Sequence, residues 1–245
     1  MKHLITSGCS FSETHSSHIN TWPRHLNRML PEYTLTNRAM SSQGNGLISR
    51  GIIYEVNEKL KTNNAEDLLV GVVWSGPSRH DYYVDSPKQF KGKNLDGWTD
   101  NPTDVVPGVK QWAILNHHWK HDSSKMWYRN FYSHIGSYIN TLEHILRTQW
   151  FLEKHNIKYF MSTYTAQVLP GELNDDLSTA HLYGQIDFTK FLPISGILEW
   201  SMESDWKAGD TLPSFQDAHV DGQHPTTEHH KLLTEKVILP FVAPL

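Results

Sequence analysis

Three polar residues near opposite ends of the chain have the types and spacing that nucleophilic catalysis needs. Ser10 lies in the small-residue turn Gly-Cys-Ser-Phe-Ser of residues 8–12, and Asp221 precedes His224 by three positions. A serine hydroxyl is a weak nucleophile that needs a base beside it, and a carboxylate can hold an imidazole in the tautomer that serves as this base. Turn serines, capping aspartates and surface histidines are common, so either motif alone is weak evidence. Their joint presence favours a serine–histidine–aspartate arrangement.

Alternating strands and helices are expected to position these residues. The apolar pattern predicts strands over 3–7, 33–38, 68–74 and 157–163, and helices over 22–30, 47–60, 131–154 and 227–241. The strand 68–74 is apolar nearly throughout, which is typical of burial on both faces in a parallel sheet. The alternation predicts an α/β protein, a three-layer α/β/α sandwich with a mostly parallel sheet. Catalytic groups in such sheets lie at the carboxyl ends of the strands, and Ser10 directly follows the first one.

The two motifs together resemble those of the SGNH/GDSL hydrolase superfamily. More specifically, Gly8-Cys9-Ser10-Phe11 resembles the Gly-Cys-Ser-Phe variant of many phage and bacterial sequences of this type. The resemblance implies a flavodoxin-like α/β/α fold over nearly the whole chain. It also implies that Ser10 is the nucleophile, that His224 is the general base and that Asp221 orients the imidazole.

Two further blocks of the superfamily supply donors to the oxyanion, together with the backbone N–H of Ser10. The second block matches residues 37–46, where Gly44 is the candidate backbone donor and Gly46 the alternative. The third block usually contains an asparagine that donates from its side chain, and residues 73–79 lack one. Ser75 is the candidate substitute. The loss of one oxyanion donor typically lowers the rate by about 10²–10³, so the alternatives are a substitute donor, a slow enzyme or a site without turnover.

Residues around these blocks are candidates for contacts to the substrate or for rival chemistry. Candidate substrate contacts are Asn45, Trp74 and Arg79. Cys9 is a rival nucleophile, but the neighbour of a strand-end residue usually points the opposite way, into the core. His117 and His121 have a spacing that can bind zinc on a helix, without a nearby acid or cysteine to complete the set. No metal and no other cofactor is therefore expected.

The length, charge and apolar content of the chain limit which partners and which cellular location are expected. The chain of 245 residues is expected to form one domain, 1–245, with a loop-rich insertion over 76–129 that is crowded with aromatic residues. The net charge is −4 and no run of Lys or Arg is present, which argues against a nucleic-acid partner. No stretch has the length and apolarity of a membrane span or a signal peptide. A cytoplasmic or virion-associated location is expected, and the oligomeric state is left open.

Three functions compete at this point. The first is a serine esterase that forms an acyl-serine intermediate on a small acyl ester or an acylated carbohydrate. The second is a catalytically weak or inactive module of the same fold that binds glycans, for example on a virion, which the missing asparagine favours. The third and least favoured is a metal-dependent enzyme that uses His117 and His121.

Overall fold

A four-stranded parallel sheet forms the centre of the protein, whose computed structural model describes residues 1–14, 20–83, 112–116, 122–203 and 224–245. The strands among the described residues are β1 (Lys2–Ser7), β2 (Tyr33–Asn37), β3 (Leu68–Trp74), β4 (His80–Tyr83), β5 (Trp112–Leu115) and β6 (Lys158–Thr163). The central sheet has the order β2-β1-β3-β6, and all of its pairs are parallel. β4 and β5 form a separate antiparallel pair.

Helices cover both faces of this sheet. They are α1 (Trp22–Met29), α2 (Asn45–Leu60), α3 (Asp122–Asn130), α4 (His134–Lys154), α5 (Ala180–Tyr183), α6 (Ile197–Glu203), α7 (Thr227–Leu233) and α8 (Leu239–Val242). A π-helical turn, Thr234–Ile238, joins α7 to α8. Among the helices that the structure describes, none combines the length and the apolar composition needed to cross a membrane.

The two hydrophobic cores follow from the alternation of side chains along buried strands. On β3, Val70 and Val72 pack with α2 and α4, while Leu69 and Val73 pack on the opposite face with α1, α7 and the turn after α7. Every residue of β3 is buried, as its continuous apolar run predicts. The three-layer α/β/α class with a parallel sheet is thereby confirmed.

The region that follows β3 contains regular structure that the sequence pattern did not predict. Within 76–129, the described residues form β4, β5 and α3, and residues 84–111 and 117–121 lie outside the described part. The Tyr128 hydroxyl donates to the backbone oxygen of Leu115 at 2.9 Å and also to that of Ser78. α3 is therefore tied both to β5 and to the loop after β3, while the domain boundary and the insertion itself stay predictions.

Candidate active site

Ser10 and His224 lie in hydrogen-bond contact at the carboxyl end of β1. The Ser10 Oγ atom is 2.7 Å from the His224 Nε2 atom, although 214 positions separate the two residues along the chain. Ser10 belongs to the turn after β1, and His224 lies three residues before α7. Both side chains are partly exposed. This geometry allows the imidazole to take the hydroxyl proton when Ser10 attacks a substrate.

The turn that carries Ser10 requires a glycine at its start. A Cβ atom at Gly8 would lie 2.5 Å from the Ser12 Oγ atom and 3.1 Å from the backbone oxygen of Val73. Ser12 is buried, and its Oγ atom accepts a hydrogen bond of 2.9 Å from the indole N–H of Trp22 on α1. The turn is thus packed tightly against β3 and fastened to α1.

Side chains from the end of β2 and the segment after it hold the same turn from another side. The Gln43 side-chain amide donates to the backbone oxygen of Gly8 at 2.6 Å, and the backbone N–H of Met40 donates to that oxygen at 3.2 Å. The Asn37 amide donates to the backbone oxygen of Ser12 at 2.7 Å. These bonds come from three residues outside the turn, so the backbone around Ser10 is held before any substrate arrives.

His224 is held by an aromatic contact and by the start of α7. Its ring centroid lies 5.0 Å from that of Phe11, the residue after the serine. Helix α7 begins three residues later, and the side chain of its N-cap residue Thr226 accepts a hydrogen bond of 3.3 Å from the backbone N–H of His229. Asp221, the predicted orienting carboxylate, lies outside the described residues, so its role stays a prediction.

A second histidine, His230, is buried behind the site but cannot replace His224 as base at neutral pH. His230 is 1% exposed. Burial lowers the pKa of His230 to about 3, with further lowering from the neighbouring His25, His229 and His224. A group with so low a pKa stays neutral at pH 7 and accepts protons poorly.

The loop after β3 uses its serine to hold an arginine. The Ser75 Oγ atom accepts a hydrogen bond of 2.7 Å from the Arg79 guanidinium. Asn45 fixes the peptide of the same serine, because its side-chain oxygen accepts from the Ser75 N–H at 2.7 Å and its amide donates to the Ser75 oxygen at 2.9 Å. Ser75 is fully buried, and its hydroxyl oxygen holds the Arg79 guanidinium. Its predicted donation to an oxyanion stays a prediction.

Tyr164 is a site residue that the sequence patterns did not reveal. Its backbone N–H donates to the Trp74 oxygen at 3.0 Å, which places it one residue beyond β6 at the same edge as Ser10. The ring makes an edge contact with Phe11, with centroids 5.3 Å apart, and the Arg79 guanidinium lies 5.3 Å from its centroid. Its place directly after the fourth predicted strand was the available signal. Tyr164 therefore connects Arg79 to the ring that contacts His224.

The backbone N–H of Gly44, the predicted oxyanion donor, is bound to a carboxylate inside the protein. The Gly44 N–H donates to the Asp81 carboxylate at 2.9 Å, and the Leu47 N–H donates to the other oxygen at 2.8 Å. Burial raises the pKa of the Asp81 carboxyl, while these two bonds and the charges of Arg50 and Arg79 act to lower it. Asp81 thus caps α2 and accepts from the Gly44 N–H, and the oxyanion role of Gly44 stays a prediction.

Two of the predicted substrate contacts turn out to be internal. Trp74 is fully buried, and its indole N–H points to the sulfur of Met161 at 3.3 Å, so it belongs to the core. The Asn45 amide is used by Ser75 and by the Thr141 hydroxyl at 3.1 Å. Arg79 alone of the predicted substrate contacts has a partly exposed side chain at this edge.

The rival chemistries have no support in the described part of the chain. Cys9 is fully buried in the core that contains Phe160 and Leu233. His117 and His121 lie outside the described residues. Within the ranges that are described, no group of three or more His, Cys, Asp or Glu side chains is arranged to hold a metal ion.

Comparisons with known proteins give a family and several distant structures. Residues 8–244 match the model of a family of unknown function, DUF6071. The chain is similar to TesA, with 12% identity, 99% of both chains covered and a TM-score of 0.49. It is also similar to a GDSL-like lipase from Parabacteroides merdae ATCC 43184, with 12% identity, 99% of this chain and 95% of that chain covered and a TM-score of 0.42. The lipase Lip_vut3 from a goat rumen metagenome gives 9% identity, 96% and 95% coverage and a TM-score of 0.43.

No curated protein matches the chain. At these identities and TM-scores, the three solved structures carry no inference about its reaction.

Proposed function

We propose that this chain, which belongs to the family of unknown function DUF6071, is a serine ester hydrolase. The observation that carries the proposal is the 2.7 Å contact between the Ser10 Oγ atom and the His224 Nε2 atom. We further assign the chain to the Gly-Cys-Ser-Phe variant of the SGNH/GDSL hydrolases on the residues of its nucleophile turn.

The reaction proceeds in two steps. The Ser10 Oγ atom attacks the carbonyl carbon of an ester while His224 takes its proton. The carbon–oxygen bond to the alcohol then breaks, His224 returns the proton to the departing oxygen, and an acyl-serine remains. A water molecule, deprotonated by His224, attacks this acyl group and releases the acid and free Ser10. Asp221 is proposed to accept a hydrogen bond from the other ring nitrogen of His224.

Arg79 is proposed to take the place of the missing asparagine as an oxyanion donor beside the Ser10 N–H. A guanidinium carries several N–H donors and a permanent positive charge. The Ser75 hydroxyl and the Tyr164 ring hold it at the carboxyl end of the sheet. A fixed cation at this position stabilises the negative charge that develops on the carbonyl oxygen.

The substrate is proposed to be a small acyl ester or an O-acylated glycan. The alternative is a weakly active or inactive glycan-binding module of the same fold. One observation favours this alternative, since the Gly44 N–H is bound to Asp81 and the Ser75 hydroxyl is buried. Both predicted helpers of the Ser10 N–H already have hydrogen-bond partners inside the protein.

Labelling with a fluorophosphonate probe, followed by peptide mapping, separates the two functions. We expect the probe on Ser10 in the native chain and no labelling in Ser10→Ala or His224→Ala, because the hydroxyl reacts only when the imidazole takes its proton. Cys9→Ala is the matched control, since it removes the neighbouring nucleophile, and it should keep the label. A folded native chain that takes no label would overturn the esterase and favour the binding module.

A further inference from the structure

A cavity of about 260 Å³ lies between α2, α4 and the β4–β5 pair. Arg79 belongs both to this cavity and to the edge of the sheet, because it lines the cavity and donates to the Ser75 hydroxyl. Arg79 is linked to the turn of Ser10 through Tyr164, whose ring centroid lies 5.3 Å from the Arg79 guanidinium and 5.3 Å from the Phe11 ring centroid. The exposed side chains of Phe131 and Asn140 lie at the rim of the cavity.

The cavity walls carry positive charge. Arg50 and Arg79 both line it, and Asp81 is the one carboxylate among its described lining residues. The Asp81 oxygens are occupied by the backbone N–H groups of Gly44 and Leu47. The Arg50 guanidinium is stacked 4.8 Å from the ring centroid of Trp112, which fixes its plane at the wall.

The histidines at the cavity wall add no negative charge. His144 lines the cavity, and burial together with the charges of Arg147 and Arg50 lowers its pKa to about 4. Burial likewise lowers the pKa of His80, so both imidazoles are neutral at pH 7 and can still form hydrogen bonds. Arg147 lies behind this wall, with its Nε atom donating to the Ser49 hydroxyl at 3.1 Å.

The remaining surface suits a ring rather than a bare ion. The Trp127 ring lines the cavity and is stacked on His80, with centroids 4.4 Å apart and planes 16° apart. Because His80 covers one face of this ring, the opposite face of Trp127 is the one that we assign to a sugar ring. The volume is just below the range of pockets for drug-sized ligands, about 300–1,000 Å³, so it fits a single ring and not a chain of several.

We propose that this cavity binds the carboxylate-bearing ring of an acidic sugar, with Arg50 paired to the carboxylate and Arg79 at the side that faces Ser10. The inference rests on the proposed function, because it assigns the substrate of the same site to O-acylated uronic acids. A planar guanidinium matches a carboxylate with two parallel hydrogen bonds. The acyl group of the bound ring then extends past Arg79 toward the nucleophile.

The first test measures binding without turnover. Titration calorimetry on the Ser10→Ala protein compares glucuronate with glucuronamide, which has the same ring and no charge. We expect glucuronate to bind at least about tenfold more tightly, since a hydrogen bond to a charged group contributes more than a neutral one. Arg50→Gln should bring the two affinities together, while Arg28→Gln, which alters an exposed arginine on α1, should keep the difference.

A second variant tests the cavity without removing charge. A Cβ atom at Gly46 would lie 3.2 Å from the His144 Nε2 atom and 3.3 Å from the Asp81 Oδ2 atom. Gly46→Ala should therefore narrow the cavity and weaken glucuronate binding with both arginines in place. Unchanged affinity in this variant and in Arg50→Gln would overturn the proposal, as would inorganic phosphate binding as tightly as glucuronate, because the cavity would then recognise the anion alone.

Hydrolysis separates a failure of this inference from a failure of the esterase. Acetylated glucuronate should be cleaved with a higher kcat/KM than acetylated glucuronamide, and Arg50→Gln should abolish this preference. Equal cleavage of both esters by the native protein would overturn the acidic-sugar site and leave the esterase standing. Selective binding of glucuronate by a folded chain that takes no fluorophosphonate label on Ser10 would support the cavity and overturn the esterase.

Discussion

The loops that follow β1 and β3 leave the sheet side by side, yet they use their serines in opposite ways. The two strands pair in parallel, and Ser10 and Ser75 each stand three residues beyond the last register pair. Ser10 is partly exposed and contacts the His224 imidazole, whereas Ser75 is fully buried and accepts a bond from Arg79. The position at the sheet edge therefore does not decide the role of a serine. Its exposure and its hydrogen-bond partner do.

The two loops also differ in what holds them. Side chains of Trp22, Asn37 and Gln43 bind the first loop from separate elements. The second loop is a four-residue turn closed by the Arg79 N–H and the Gly76 oxygen at 3.0 Å. Asn45 binds the Ser75 peptide before this turn, and the Tyr128 hydroxyl binds the Ser78 oxygen within it. The contacts to the first loop hold the backbone around Ser10. In the second loop, Asn45 holds the Ser75 peptide and the Ser75 hydroxyl orients Arg79.

Removing the Arg79 guanidinium from the second loop should have the largest effect on the rate of hydrolysis. Arg79→Gln should lower kcat/KM for a simple aryl ester by about 10²–10³, the usual effect of losing one oxyanion donor. Arg79→Lys should recover part of the rate, because it keeps the charge without the planar donor set. Steady-state kinetics with Arg28→Gln as the matched control measure both effects, and a rate near that of the native protein in Arg79→Gln would exclude Arg79 from the oxyanion hole.

Removing only the hydroxyl that orients this cation should have a smaller effect. Ser75→Ala leaves Arg79 present but free to move, and we expect kcat to fall about tenfold with little change in KM, as for loss of an interaction made in the transition state. A double-mutant cycle that combines Ser75→Ala with Arg79→Gln tests whether the two residues act as one unit. The double variant should lose no more rate than Arg79→Gln alone, because both changes remove one function, whereas additive losses would show that Ser75 acts independently of Arg79.

The sequence predicted the elements better than the contacts between loops. The strand at Leu68–Trp74 has the predicted bounds, because its continuous apolar run has few other ways to be buried. The motifs also selected Ser10 and His224, which the structure brings into contact, although their roles remain a proposal. Local pattern was sufficient there because strand-end turns of parallel strands gather at one edge.

The contacts that the sequence pattern did not predict all involve partners distant in sequence. Gly44 was expected to donate to an oxyanion, but Asp81 from β4 occupies its N–H, and no periodicity predicted that strand. Trp74 ends a strand whose last residue faces the core rather than the site. Tyr164 was missed because a single tyrosine after a strand carries no motif, and only the sheet order places it beside Phe11.

The smallest change tests how firmly the first loop is held. Ser12→Ala leaves the indole N–H of Trp22 without its acceptor inside the protein, and an unsatisfied buried donor costs about 1–3 kcal/mol of the free energy of unfolding. Urea unfolding should show this loss, with Ser178→Ala, at an exposed serine, unchanged as the matched control. Because Asn37 and Gln43 still bind the turn, kcat/KM should fall less than in Ser75→Ala. A larger loss of rate would mean that one bond to Trp22, and not the combined contacts, aligns Ser10 with His224.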